Sequence, residues 1–246
     1  MKMLVKVLGG STAFGLNTPE SDVDYRGVFV NTEPAKILGL EKLDHVQKQE
    51  TDDIVYYEVR KFFELLRNGN TGALEILFTD EQLESTPEFD EIRANRLKFI
   101  DTDKMFKCLL GYMQGERRLA NGERTGVLGG KRKAQLEKYG YSPKNFTQLL
   151  RLAHCGVVLF QDGYFPVNLK KDNKVVWATL MDIKTHPENH TKEELNSLTD
   201  QCEVALKNAY ETRKFNYTFD ADLANELMRK IYLPYLMKVK KKRAGI

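Results

Sequence analysis

Two aspartates, Asp22 and Asp24, stand one residue apart in the segment Ser21-Asp22-Val23-Asp24-Tyr25-Arg26-Gly27, a short way after the turn Gly9-Gly10-Ser11. On a β-strand, side chains alternate with period two, so residues at i and i+2 project to the same side. Carboxylates brought that close repel each other unless a cation lies between them. Hard oxygen ligands of this kind suit magnesium or manganese rather than zinc. Just upstream, Gly10-Ser11 opens a short helical segment whose backbone N–H groups can hold phosphate oxygens, with glycine allowing close approach. An anion cradle is therefore expected beside a divalent-metal site.

Other motifs fit the same residues less well. Gly10 and Gly15 have the glycine spacing of a P-loop, but Leu16-Asn17 stands where Lys-Ser/Thr is required, and no GxGxxG spacing occurs. Asp22, Asp24, Gly27 and Glu33 fall at ligand and turn positions of an EF-hand calcium loop. Against that loop, Arg26 puts a cation where a ligand belongs, and Val28-Phe29-Val30 with Pro34 nearby does not read as entry into a helix. A solvated acidic turn accounts for Asp22 alone and leaves the Gly-Ser turn unexplained. Cys155 follows His154, yet both lie in the apolar stretch 149–160, where helical packing accounts for them. His186 and His190 could share a helix face, but Pro187 interrupts it and a solvated loop is expected.

The elements that must position these residues follow from periodicity. Residues 3–8 form an apolar run ending in Gly9-Gly10, and residues 22–30 alternate through Val23 and Tyr25 into Val28-Phe29-Val30; both read as strands. Between them, 12–16 leave room for a turn or two of helix before Asn17-Thr18-Pro19. Residues 46–57 read as a third strand, and 57–66 place Val59, Phe62, Phe63, Leu65 and Leu66 at helical spacing. Beyond Thr79, Glu84-Ser85-Thr86-Pro87 reads as a linker or cap, and the rest is mostly helical in period. Its apolar stripes are Phe106, Leu109, Leu110 and Met113, then Phe146, Leu149, Leu150 and Ala153, then Leu223, Leu227 and Ile231. The expected fold class is α+β: a mixed β-sheet domain with helices over residues 1–82, then a mainly helical domain over 83–246. Residues 122–140, rich in Gly, Lys and Arg, read as a mobile connection, and 167–177 as a small hairpin turning at Asp172-Asn173. The basic cluster 238–243 reads as a solubilising tail.

Composition sets the outer bounds. With 246 residues, 41% of them hydrophobic, the chain can bury a substantial core. Its 38 basic and 35 acidic residues nearly cancel, so a net charge of +3 does not mark a nucleic-acid binder. No apolar run approaches the length needed to cross a bilayer, and the first residues lack the long apolar stretch of a secretory signal. Cys108, Cys155 and Cys202 are far apart and odd in number, as expected of reduced thiols in a cytoplasmic protein.

These residues resemble the DNA polymerase beta-like nucleotidyltransferase superfamily, whose signature is Gly-Ser, a short helix, then Asp-x-Asp on the next strand. Within it, Gly10-Ser11-x-Ala13-Phe14-Gly15 with Ser21-Asp22-x-Asp24-x-Arg26-Gly27 is similar to a group of predicted nucleotidyltransferases of bacteria and phages, some associated with RNA-repair ligases. The likeness extends through 53–62 and Gly69-Asn70 to Leu74-Glu75. It appears again over 141–163, where the family carries Lys, a His four residues on, then Arg in one helix.

The resemblance implies an enzyme that moves a nucleoside monophosphate from an NTP, expected to be ATP, to an acceptor hydroxyl with release of pyrophosphate. Ser11 and the Gly10 backbone would hold the triphosphate, and Asp22 and Asp24 would bind two Mg2+ or Mn2+ ions. Asp53 is the best match to a third carboxylate on a neighbouring strand; Asp52 competes, because one step of register changes which side chain faces the site. Arg26 would brace the aspartates or touch phosphate, with a surface ion pair as the alternative. Lys144, Gln148 and Arg151 lie on one helix face. Lys144 and Arg151 keep the family pattern and would stabilise the triphosphate, whereas Gln148 stands where His is usual. An RNA 3′ end is the expected acceptor, from the family association and from basic residues such as Lys131, Arg132 and Lys133. Transfer to a protein or small molecule, or a non-catalytic nucleotide-binding regulatory role, are the alternatives.

Overall fold

The computed structural model describes residues 1–39, 41, 46–49, 54–123 and 130–243. The chain divides into two compact units, Met1–Asp101 with Tyr217–Ile246, and Thr102–Asn216.

In the first unit, β1 (Lys2–Gly9) leads into the one-turn helix α1 (Gly10–Ala13), followed by β2 (Asp24–Val30), α2 (Pro34–Leu38), β3 (Val46–Gln49) and β4 (Ile54–Glu58). Then come α3 (Val59–Arg67), α4 (Thr71–Phe78), β5 (Gln82–Ser85) and α5 (Pro87–Ala94). The sheet order is β3-β4-β2-β1-β5, with β2 and β4 parallel and the other neighbours antiparallel. Leu4, Val5 and Val7 on β1 and Val28, Phe29 and Val30 on β2 are all buried. Runs of adjacent buried residues, rather than alternation, are what a sheet covered on both faces requires.

The stretch expected as a third strand is instead two antiparallel strands, β3 and β4. Pairing of β4 with β2 extends only from Tyr25↔Ile54 to Phe29↔Glu58, so a single strand over 46–57 would outrun its partner. Strand β5 falls where a linker or cap is expected. It is a short, mostly polar edge strand held by backbone pairing to β1, through Val5↔Ser85 and Val7↔Gln82, which side-chain type announces poorly. The cap reading holds for Thr86, whose side chain accepts from the Phe89 N–H at the start of α5, with Pro87 in the first turn.

The last helix, α12 (Ala221–Arg243), belongs to this first unit and packs on α2, α3 and α5. Its Tyr232 hydroxyl donates to Glu58 at 2.5 Å, and both side chains are buried. A chain of aromatic contacts from Phe62 through Phe63 and Phe99 to Phe219 ties the approach of α12 to α3. Helix α12 runs on to Arg243, so the basic cluster expected as a tail is helical.

The second unit contains α6 (Thr102–Ala120), α7 (Gly130–Tyr139), α8 (Pro143–Asp162), α9 (Leu169–Asp172), α10 (Lys174–Thr185) and α11 (Lys192–Glu211). Helix α8 packs against α6, α10 and α11. At Gly156 an added Cβ would stand 2.5 Å from Leu206 and 2.6 Å from Leu109, so three helices meet closely because this residue has no side chain. Two stretches of this unit differ from expectation. Within 122–140, residues 130–139 form helix α7, and 124–129 lie outside the described residues. The hairpin expected over 167–177 is replaced by α9 and α10, because Asn168 and Asn173 act as N-caps, their side chains accepting from the N–H groups of Lys171 and Val176.

Candidate active site

Strand β1 ends at Gly9, whose partner across the ladder is Asp24, the first residue of β2. Gly10 follows at φ +56°, the left-handed region that favours glycine. The turn closes through hydrogen bonds from the Phe14 N–H to Gly10 O at 3.2 Å and from the Leu16 N–H to Ser11 O at 2.8 Å. The Asp24 carboxylate lies directly against Gly10: an added Cβ would stand 1.7 Å from Oδ2 and 2.5 Å from Cγ. Gly10 is thus required both for its backbone angle and for the space it leaves.

Arg26 lies on the other side of Asp24. Its Cγ would be 2.6 Å from a Cβ on Gly9, so its stem covers that glycine, and its guanidinium reaches Asp24 Oδ1 at 3.4 Å. At that length and partial exposure an ion pair contributes under ~1 kcal/mol.

Asp22 precedes the strand rather than lying in it, because pairing with β1 stops at Gly9↔Asp24. The same-side argument from strand period therefore covers Asp24 and Arg26 but not Asp22. Asp22 is exposed and follows a tight turn in which the Thr18 N–H donates to Ser21 Oγ at 2.8 Å and the Ser21 N–H to Thr18 O at 3.0 Å. The EF-hand alternative is excluded, since residues 24–30 form a paired strand with Val28, Phe29 and Val30 buried.

Asp52 and Asp53 lie outside the described residues; the pairing of β4 with β2 begins next to them, at Ile54. Among the described residues, no group of three or more His, Cys, Asp or Glu side chains is placed to hold a metal ion. By donor type, the carboxylate oxygens of Asp22 and Asp24 fit magnesium or manganese, and the Asp24 carboxylate takes the space that Gly10 leaves.

Tyr57 and Glu75 are neighbours of this locus that single-residue reasoning missed. Tyr57 pairs with Val28, two residues along β2 from Arg26. Burial pushes the Tyr57 phenol's pKa up, the Arg26 charge works against this, and Glu75 on α4 adds to it. The family likeness reaching Leu74-Glu75 was the signal available for Glu75.

The other expected residues belong to the second unit. On α8, Lys144 is exposed, whereas Arg151 is fully buried, with its Nε donating to Gln148 Oε1 at 3.3 Å. One helix face in sequence thus has two environments. Arg132 and Lys133 lie on α7, as does the backbone of Lys131. Cys155 is fully buried with its thiol donating to Pro166 O at 3.2 Å, in keeping with packing. His186 and His190 both meet Asp182, at 3.2 and 3.0 Å, across a single 3-10 turn at Pro187.

Among the described residues no helix is long and apolar enough to cross a membrane. The family described as the RNA repair pathway DNA polymerase beta family matches residues 1–230. A protein of Enterobacteria phage T4, described as an uncharacterized 38.9 kDa protein in the nrdC-mobD intergenic region, is 31% identical across 46% of this chain. That alignment spans 37% of the phage protein's own length.

Proposed function

The chain belongs to the RNA repair pathway DNA polymerase beta family, a polymerase beta-like nucleotidyltransferase family, and from that premise we propose that it transfers a nucleoside monophosphate from an NTP, with ATP the first candidate, to the 3′ hydroxyl of an RNA. The observation that supports this most directly is the Asp24 carboxylate packed against Gly10 and paired with Arg26. Asp22, Asp24 and Asp53 would hold Mg2+ or Mn2+. When bound, such ions lower the pKa of an attacking hydroxyl and neutralise the leaving phosphates.

The chain's own residues do the rest. Ser11 and the Gly10–Ser11 backbone bind and orient the triphosphate, and Arg26 keeps Asp24 in place. Asp53 accepts the proton of the acceptor hydroxyl. The hydroxyl oxygen forms a bond to the α-phosphorus, the bond from that phosphorus to the bridging oxygen breaks, and pyrophosphate leaves. On α8 of the second unit, Arg151 is fully buried beside Gln148 and is assigned no contact with the triphosphate, while Lys144 is exposed. The setting is the cytosol, consistent with three cysteines that form no disulfide.

The test is incubation with each α-labelled NTP, magnesium, and total cellular RNA or protein, followed by separation. Label is expected in the RNA fraction. It should fall by orders of magnitude in Asp22→Asn and Asp24→Asn at unchanged thermal midpoint. Near wild-type labelling by the double variant would refute the site, and label in protein or small molecules would refute the RNA acceptor. NTP binding without any transfer would support a non-catalytic regulator.

A further inference from the structure

The second unit has a polar cleft of about 410 Å³ where the end of α6 approaches the start of α11. Its charged lining is Arg117, Arg118 and Lys192 against the single carboxylate of Glu123; the remaining lining groups are the amides of Gln114, Asn121 and Asn196. The floor is pre-organised. Asn121 and Asn196 exchange reciprocal amide hydrogen bonds at 3.1 and 3.0 Å. Arg117 Nε donates to Asn196 Oδ1 at 2.8 Å while its guanidinium pairs with Asp200, and Lys192 Nζ donates to Asn121 O at 3.1 Å. Arg117 is thereby largely neutralised and structural. Arg118 is exposed, and Lys192 donates to a neutral carbonyl, so both cations are available to an anionic ligand.

The volume lies in the range of small-ligand sites, but among the described residues no aromatic or aliphatic side chain lines the cleft. None of these side chains is an aromatic ring of the kind on which proteins that grip bases in single strands usually stack them. Cations and amides alone match phosphates and sugar hydroxyls, the contacts that position a strand without reading its sequence.

We infer that this cleft binds the sugar-phosphate backbone of a single-stranded RNA, with Arg118 and Lys192 meeting phosphates and the amides meeting hydroxyls. This rests on the reading of RNA as the acceptor and names a place where that strand is held.

The experiment is fluorescence anisotropy of a short labelled single-stranded RNA with the full chain over a range of salt concentrations. Wild type is compared with the double variant Arg118→Ala/Lys192→Ala, whose thermal midpoint is checked. The double variant is expected to bind tenfold or more weakly, with the log–log salt slope reduced by roughly 1.4, about 0.7 for each lost phosphate contact on a single strand. The same change is expected for RNA of scrambled sequence, and manganese-dependent NTP binding should be unaffected. Unchanged affinity and slope in the double variant overturn the inference, as does absence of RNA binding by wild type at low salt. Displacement of the RNA by free ATP at similar concentration also overturns it, in favour of a nucleotide site. If RNA binds here and no label reaches an RNA 3′ end, the cleft stands and the acceptor reading falls. If the double variant labels RNA with unchanged KM for RNA, the cleft falls and the acceptor reading stands.

Discussion

A Cβ on Gly10 would lie 1.7 Å from Oδ2 of Asp24, so the end of β1 and the start of β2 pack with no room for a side chain. The φ of +56° at Gly10 adds strain of about 1–3 kcal/mol for any other residue. Gly10→Ala is therefore expected to displace the Asp24 carboxylate and cut nucleotidyl transfer by orders of magnitude, with a modest loss of stability. Transfer rate and thermal midpoint, measured together, check this; a wild-type rate would show that Asp24 need not stand where Gly10 holds it.

Tyr232 reaches from α12 to the fully buried Glu58, whose other oxygen accepts from the Arg60 N–H at 2.8 Å. Burial first, and the hydrogen bond to Glu58 second, push the phenol's pKa far up, so the hydroxyl remains a donor throughout the working pH range. Tyr232→Phe leaves a buried carboxylate oxygen without that donor and should cost about 1–3 kcal/mol. Urea denaturation of the two proteins measures it, and a difference under about 0.5 kcal/mol would show that Glu58 does not depend on the tyrosine.

His154 is half-buried, and burial lowers its pKa, with Asp162 working weakly against the shift. The folded-state pKa therefore lies below the unfolded value of about 6.5. On the acid side the unfolded chain binds more protons than the folded one, so stability rises with pH and is lost as pH falls below that value. His154→Gln is expected to lose less stability than wild type between about pH 7.5 and about pH 5.5. Thermal midpoints at both pH values decide it, and equal losses would remove His154 as a source.

Arg151 and Lys144 should separate cleanly on substitution. Arg151→Ala removes a fully buried side chain bonded to Gln148 and is expected to destabilise by about 2 kcal/mol or more, whatever its part in binding. Lys144 is exposed, so Lys144→Ala should leave the thermal midpoint alone. If Lys144 meets phosphate, KM for NTP should rise by the equivalent of about 1.5–3 kcal/mol. Unchanged kcat and KM would remove Lys144 from nucleotide binding.

The sequence by itself determined the parts whose causes are local. Gly10-Ser11 followed by Asp24 and Arg26 marks a glycine turn feeding a strand, and the stripes of α3, α6, α8 and α12 are legible because helical period is a property of neighbours in the chain. The tertiary structure decided what depends on a distant partner. Asp22 falls outside β2 because β1 runs out at Gly9. Residues 46–57 break into two strands because β2 accepts only the second half. Residues 82–85, polar but for Leu83, become a strand because the edge of β1 needs backbone partners. Lys144 and Arg151 share a face in sequence but not in environment, since α6, α10 and α11 pack around α8. Glu58 and Tyr232, 174 residues apart, meet only once α12 has come back to the sheet. Periodicity reports which face of an element is apolar; what that face meets is fixed by contacts between residues far apart in the chain.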